Sequence, residues 1–396
     1  MYLTYRFRIY PNESQSALLD NKFLLAQTAY NQLVAWHYAS LQKDKSYDSQ
    51  IQALPPVGCS CDHLADQLLT ETNRYNLTDR SIVISAIRYF VRNRKKAVET
   101  QIRLHYKSVN KSKQICSFNA KGQLNQIGDN CLHIVLLGDL KTSMTRKVLG
   151  RIINITISKT ITGRYYICLL AKKVDSKKTL LKTMQKKSLK IVGVDMGISH
   201  FIILSDGTKY ENPRFMGNRL KKLQQSHRHF SRKEKNSKNR DKARISLACQ
   251  YEHVYNQRNG FLQRLSTELI KEYDIIAVES LDIKHMMHQS PLARKIADAA
   301  WRQFILMLQY KAEWYGKILI QIPRYLPSTK KCCRCQTINN NLTLNDRTWV
   351  CTKCNTSHDR DINAAINILV AGTRQIIKKW PTLDQAALKP SLSDKR

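Results

Sequence analysis

The chain has 396 residues, enough for two or three domains of ordinary size. With 42% hydrophobic residues, 13 glycines and 9 prolines it is neither wholly disordered nor low-complexity, and no apolar run reaches the ~18 residues of a membrane span. Lys and Arg number 66 against 30 Asp and Glu, and a net charge of +36 self-repels unless a polyanion neutralises it. Nucleic acid is therefore the first partner class expected and a membrane surface the second.

The N-terminus, MYLTYRFRIYPNE, has neither the apolar core nor the cleavage site of a signal peptide. Eleven cysteines in so long a chain read as reduced thiols, some of them metal ligands, and not as a disulfide framework.

Residues 1–10 alternate apolar and polar, which predicts a strand that Pro11 ends. From Ser14 to about Leu41, Leu18, Leu19, Phe23, Leu24 and Ala26 recur at helical spacing. Pro55, Pro56 and Gly58 mark a loop, and residues 62–107 are again helical with a basic face. From Ile115 to Val174 the texture turns to short strand-like runs, LHIVLL, RIINITIS and RYYICLLA, with turn signals at Gly138-Asp139 and Thr162-Gly163. The reading is a β-barrel-like module, residues 1–10 and 115–175, carrying a helical insertion over 11–114. A polar, basic stretch over 176–189 reads as a linker. KIVGVDMG and SHFIILSDG then form two strands, 213–272 long basic helices, EYDIIAVESL a buried strand, 292–315 an amphipathic helix and ILIQIP a strand. A cysteine cluster over 326–357 precedes a last helix, DRDINAAINILVAG, and the tail from Pro381 reads as frayed. The fold class is multidomain α/β.

Cys332-x2-Cys335 and Cys351-x2-Cys354, fifteen residues apart, have the spacing of a four-thiolate zinc ribbon. Four thiolates leave no open position on the metal, so this Zn²⁺ is structural. Cys333 and His358 stand next to the pattern as possible substitute ligands. Cys59-x-Cys61-x-His63 is irregular and reads as ordinary thiols before a metal site.

Asp195 ends an apolar strand, and Glu279 ends another. A buried carboxylate is costly unless it is paired or metal-bound. Asp361 opens a helix whose Ala364 and Ala365 allow close packing on a sheet. Asp359 is the better helix cap and Asp361 the better ligand, because residues two apart do not share a helix face. Three acids at the ends of α/β elements can together hold two Mg²⁺, which would activate a water against a phosphodiester.

At these residues the sequence resembles the TnpB family of transposon-encoded RNA-guided nucleases, ancestral to the type V CRISPR effectors. GVDMGISHFIILSDG and IIAVESLDI resemble the first two motifs of its RNase H-like RuvC domain, and CCRCQ…WVCTKCNTSHDRDINAAINIL its zinc ribbon running into the third. SRKEKNSKNRDKARISLA, YKAEWYG and LPSTKKC are also similar to family segments. The likeness is close over 190–372 and weaker over 1–189. It implies Asp195, Glu279 and Asp361 as the Mg²⁺-binding catalytic triad, and Cys332, Cys335, Cys351 and Cys354 as zinc ligands. It implies a RuvC nuclease over 190–325 and 358–375 with the ribbon inserted, a wedge barrel with a helical recognition insertion before it, and a tail over 376–396. It further implies a guide RNA, a double-stranded DNA target with a short flanking motif, and a prokaryotic, cytoplasmic, nucleoid-associated setting without membrane contact. One chain per RNA is expected, with a dimer as the alternative. Ser280, Asn259 and Gln336 depart from the family pattern without touching triad or zinc ligands.

The run over 219–244 supplies Lys221, Lys222, Arg228, Arg232, Lys233, Lys238, Arg240, Lys242 and Arg244, expected to meet guide or guide–target phosphates. Arg74, Arg80 and Arg88 of the helical insertion are candidates for reading the DNA flank. The rival readings are a compact type V CRISPR effector, a guide-directed DNA-binding repressor without cleavage, and a free-standing transposase or resolvase on the same fold.

Overall fold

The computed structural model describes residues 1–43, 61–69, 77–108, 113–128, 130–173, 183, 188–289, 292–324, 326–343, 346–381, 385–390 and 392. Arg74, Cys59 and most of the expected 176–189 linker lie outside these residues, as do the side chains of Cys61 and His63. The chain divides into two compact units, Met1–Val174 and Asp175–Arg396.

In the first unit, β1 (Tyr2–Tyr10) is followed by α1 (Glu13–Lys43), α2 (Cys61–Leu69) and α3 (Leu77–Thr100). Then come β2 (Gln114–Asn119), β3 (Leu124–Ile127), β4 (Cys131–Ile134), β5 (Gly138–Ser143), β6 (Arg151–Lys159) and β7 (Tyr165–Lys172). They form one antiparallel sheet in the order β2-β6-β7-β1-β5-β4-β3. The period-2 pattern of β1 buries Leu3, Tyr5, Phe7 and Ile9 and turns the intervening residues outward. The helices share a separate apolar core around Leu33, Val83, Ile87 and Phe90. The helix predicted to run to residue 107 stops at Thr100, where Gln101 takes a left-handed conformation (φ 54°).

The second unit is a sheet between two helical layers. β8 (Leu189–Met196), β9 (His200–Leu204) and β10 (Lys209–Glu211) form an antiparallel meander, and α4 (Phe215–Ser231) and α5 (Lys238–Glu272) form a helical hairpin. β11 (Ile275–Glu279) and β12 (Ile318–Ile322) add in parallel to β8, giving the order β10-β9-β8-β11-β12. Between them lie α6 (Ile283–Gln289), α7 (Ala293–Ala299) and α8 (Trp301–Tyr315). The single helix predicted over 292–315 is two helices, because Ala300 adopts φ 55° and both caps α7 and starts α8. β13 (Thr348–Val350) pairs with β14 (Ser357–Asp359), which runs straight into α9 (Arg360–Lys379). The tail is not wholly frayed: β15 (Leu388–Pro390) pairs in parallel with Leu189–Ile191.

Side-chain alternation on the central strands assigns the two faces. Val192, Val194 and Met196 join the core under α5 and α8, with Leu265, Phe304 and Leu308. Leu189, Ile191, Ile275 and Ala277 join the core under α9, with Ile368, Leu369 and Ile376. α9 lies unusually close to the sheet. A Cβ on Gly193 would overlap the carbonyl oxygen of Ala365 and come within 2.6 Å of the Leu369 nitrogen, and one on Gly372 would overlap the Ala277 methyl. Backbone cannot yield as a flexible side chain does, so Gly193→Ala should push α9 off β8 at a cost of about 3 kcal/mol. The expected drop in melting temperature is about 5–10 °C; a change under 2 °C would show that the close approach is not a constraint.

Candidate functional site: a carboxylate cluster beside a four-cysteine knuckle

The same alternation places the acids. Asp195 follows Ile191 and Gly193 on the α9 face of β8, and Glu279 follows Ile275 and Ala277 on the α9 face of β11. The parallel register pairs Val278 with Val194, so Glu279 and Asp195 are the next residues in line on neighbouring strands. Both sit at strand C-terminal ends, where open α/β sheets present their sites. Asp361 arrives from the first turn of α9, which the small residues of the interface hold against these two strands.

Asp195 feels the charges of both other carboxylates. Asp195 is pushed up to about 7, first by burial and then by the charges of Asp361 and Glu279, with Arg360 opposing. Burial also raises Glu279 above the usual carboxylate range. Asp361 accepts from Arg347 at 3.3 Å and from Arg360 at 3.0 Å. Arg347 also donates to Ser199 Oγ at 3.0 Å, so it spans from the ribbon to the β8–β9 turn. Asp359 caps α9, its Oδ1 accepting from the N–H groups of Asp361 and Ile362. Burial pushes the Asp359 carboxyl up, but Lys209, at 2.6 Å, and the helix N–H groups outweigh it and leave it below the usual range. Neither Arg347 nor Lys209 announces itself in the sequence, since each stands in an ordinary polar loop or edge strand.

A carboxylate raised to about 7, first by burial and then by two neighbouring acids, is a site with too little positive charge, which suits a divalent cation. It also fixes a pH dependence. Between the unfolded value near 3.8 and the folded value near 7, the folded state binds more protons than the unfolded one. Stability without Mg²⁺ therefore falls as pH rises through that window, and the loss is complete above about 7. Asp195→Asn should be more stable than the parent at pH 8, by at most roughly 4 kcal/mol, and little different at pH 4. Added Mg²⁺ should stabilise the parent at pH 8 and not the variant. Denaturant titrations at the two pH values check this, and an equal pH slope in both proteins would refute it.

The sulfurs of Cys332, Cys335, Cys351 and Cys354 all lie within 4.8 Å of one another, a donor set that fits one tetrahedral Zn²⁺. Cys332 is fully buried and its thiol is pushed up to about 12 by burial, whereas Thr337 holds Cys335 down to about 6. His358 Nε2 lies 3.1 Å from Cys332 Sγ, and its ring packs on Trp349 at 4.8 Å. Cys333 points past the cluster, 3.9 Å from His358 Nδ1.

On the α4–α5 hairpin, Lys221, Lys222, Arg228, Arg232, Lys238 and Lys242 are exposed, and Lys233, Arg240 and Arg244 are partly covered. Arg240 serves the hairpin itself: it donates to the carbonyls of Lys233 at 2.5 Å and Phe230 at 3.5 Å and stacks on the Phe230 ring. Arg244 pairs with Asp241 at 3.3 Å. In the first unit Arg80 pairs with Asp62 and Asp66, and Arg88 is exposed.

Two family models match the chain. One, described as "Probable transposase", covers residues 170–290, and the other, described as "Cas12f1-like, TNB domain", covers 301–368. A Streptomyces pristinaespiralis protein named "Putative RNA-guided DNA endonuclease" is 31% identical over 93% of this chain and 89% of its own length. TnpB-like protein L79 of Acanthamoeba polyphaga mimivirus is 23% identical over 95% of this chain and 73% of its own. The chain belongs to the TnpB family. A solved structure of the mini-RNA-guided endonuclease CRISPR-Cas_phi3 aligns over 94% of this chain and 92% of its own, at 8% identity and a TM-score of 0.48. The TnpB assignment rests on the sequence relatives. Among the described residues, no helix of this TnpB-family chain is long and apolar enough to cross a membrane.

Proposed function

We propose that this chain is an RNA-guided DNA endonuclease of TnpB type, cutting double-stranded target DNA after flanking-motif recognition and pairing of guide RNA with the target strand. The observation that carries the reading is the convergence of Asp195, Glu279 and Asp361 from three distant elements onto one end of one sheet face, with Asp195 raised by the other two. In this reading 190–325 and 358–375 form an RNase H-like RuvC domain, supported by the strand order β10-β9-β8-β11-β12 with β9 alone antiparallel to its central neighbour. Residues 1–10 and 115–175 are the wedge, 11–114 its recognition insertion, and 326–357 the zinc ribbon.

Asp195, Glu279 and Asp361 would hold two Mg²⁺, which when bound supply activation of a water and neutralisation of charge on the leaving oxygen. The chain's own residues do the rest. Asp359 and Lys209 hold the first turn of α9 so that Asp361 faces the strands. Arg360 offsets the negative charge beside Asp195, and the exposed cations of the α4–α5 hairpin track phosphates without reading sequence.

The test is to sequence the RNA that co-purifies with the chain expressed from its native locus and to use it to direct cleavage. A discrete RNA with a fixed scaffold and a variable end abutting the transposon boundary, supporting Mg²⁺-dependent cutting of a matched duplex, is expected. Repeat-derived RNA would move the chain to the CRISPR effectors. Binding without cutting would make it a repressor. Cutting that survives RNase treatment would leave a free-standing transposase or resolvase.

A further inference from the structure

We propose that Asn363 and Asn367 are positioning residues that bind the zinc knuckle to α9, so that occupancy of the four-thiolate site sets where Asp361 stands. The inference rests on the reading of Asp361 as a metal ligand given above. Both asparagines are buried, at 1% and 4% exposure, and four residues apart they share one side of α9. Asn363 Oδ1 accepts from the N–H of Cys333 at 2.9 Å, and its Nδ2 donates to the carbonyl of Lys331 at 2.8 Å. Asn367 Nδ2 donates to the carbonyls of Lys331 at 2.6 Å and Ser328 at 2.8 Å. These partners are the residues that lead into and form the first CxxC turn. His358, one residue before the Asp359 cap, also reaches Cys332 Sγ, at 3.1 Å.

Apolar residues at 363 and 367 would also seal the helix against the loop. They would leave the partly buried Cys333 N–H and Lys331 carbonyl without these partners, which costs more than the bonds themselves contribute. Amides do something an apolar contact does not: they favour one register of the loop along the helix, because the Cys333 N–H and the Lys331 carbonyl must both face the same Asn363 amide. Asn363 lies two residues beyond Asp361, in the first turns of the same helix. The knuckle and the start of α9 are therefore one rigid piece, and whatever orders the knuckle orders Asp361. Coupling of this kind is reciprocal, so losing the clamp should loosen both metals.

The test uses the full-length chain, zinc-loaded and freed of nucleic acid in high salt. Zinc release to a chromophoric chelator reports the knuckle. Mn²⁺ binding followed by electron paramagnetic resonance reports the carboxylates, taken as the part that Asp195→Ala removes. Asn363→Ala should speed zinc release about 10-fold and weaken Mn²⁺ binding about 5-fold, the range of lost outer contacts to metal ligands. Saturating Mn²⁺ should return its guided cleavage rate to within about 3-fold of the parent, as expected of misplacement and not of lost chemistry. Asn367→Ala should show the same pattern more weakly, and it carries the test if Asn363→Ala fails to fold. Faster zinc release with Mn²⁺ binding unchanged within 2-fold would reduce the amides to ribbon staples and overturn the proposal, as would no change in either. If Asp195→Ala removes no Mn²⁺ binding from the parent, the carboxylate reading itself falls, and the inference with it.

Discussion

Asp195→Ala is expected to lower cleavage of a matched duplex at least about 10³-fold while guide and target binding stay within about 2-fold. Among the three acids this is the least confounded substitution. Asp361 accepts from both Arg347 and Arg360, so replacing it also disturbs a guanidinium that is itself buried. Asp195 has no ion-pair partner among the described residues, and its charge is opposed by burial and by two neighbouring acids. Removing it relieves a destabilising charge, so the variant should fold at least as well as the parent at pH 8. Loss of cutting with retained binding then has one reading, loss of the metal site. Cutting of both strands within 10-fold of the parent would sink the assignment of β8 as the catalytic strand.

What the sequence made legible follows from burial. KIVGVDMG lacks the alternation of a half-exposed strand, so an acid at its end has to be compensated, and the same holds for DIIAVESL. The CxxC spacing is legible because ligand geometry at zinc is strict. What stayed hidden depends on backbone torsions and on partners distant in sequence. Ala300 in a left-handed conformation breaks a helix whose apolar pattern runs on uninterrupted, with no glycine or proline to mark it. The parallel pairing of Leu388–Pro390 with β8 comes from a segment too short to show a period. Gly193 did leave a signal, since glycine inside an apolar strand marks a close backbone approach, and α9 makes that approach. The basic run over 219–244 shows that cations are plentiful but not which serve the protein; Arg240 turns inward to carbonyls while Lys221 and Lys222 remain exposed. Arg347, at Asp361, and the asparagine clamp leave no mark in the sequence, because each meets partners that no local pattern places beside it.

Cys332→Ser should abolish zinc binding and cleavage together while most of the chain stays folded. Among the described residues, the apolar core of the ribbon holds only Leu342 and Trp349 beside the buried cysteines, with Cys335 and Cys354 at its edge. Among its described residues, regular structure amounts to one pair of three-residue strands and an isolated bridge between Lys331 and Ile338. So small a core does not offset chain entropy, and zinc binding, worth on the order of 10 kcal/mol, becomes the folding energy of the module. Cys332 is the most exacting of the four positions, because its fully buried sulfur also meets His358 and Cys354. Among the described residues of the ribbon, only Leu326, at its very start and partly buried, packs against either of the two cores that flank the large sheet. Far-ultraviolet circular dichroism should therefore change by less than about a tenth. Trp349 emission should shift to the red as its cover is lost. Zinc per chain should fall from about one to below about 0.1, and cleavage should fall at least about 100-fold as α9 loses the support of its first turn. A zinc-free variant that still cuts at the parent rate would separate the ribbon from the placement of Asp361 and leave the close packing of α9 on Gly193 as its main support.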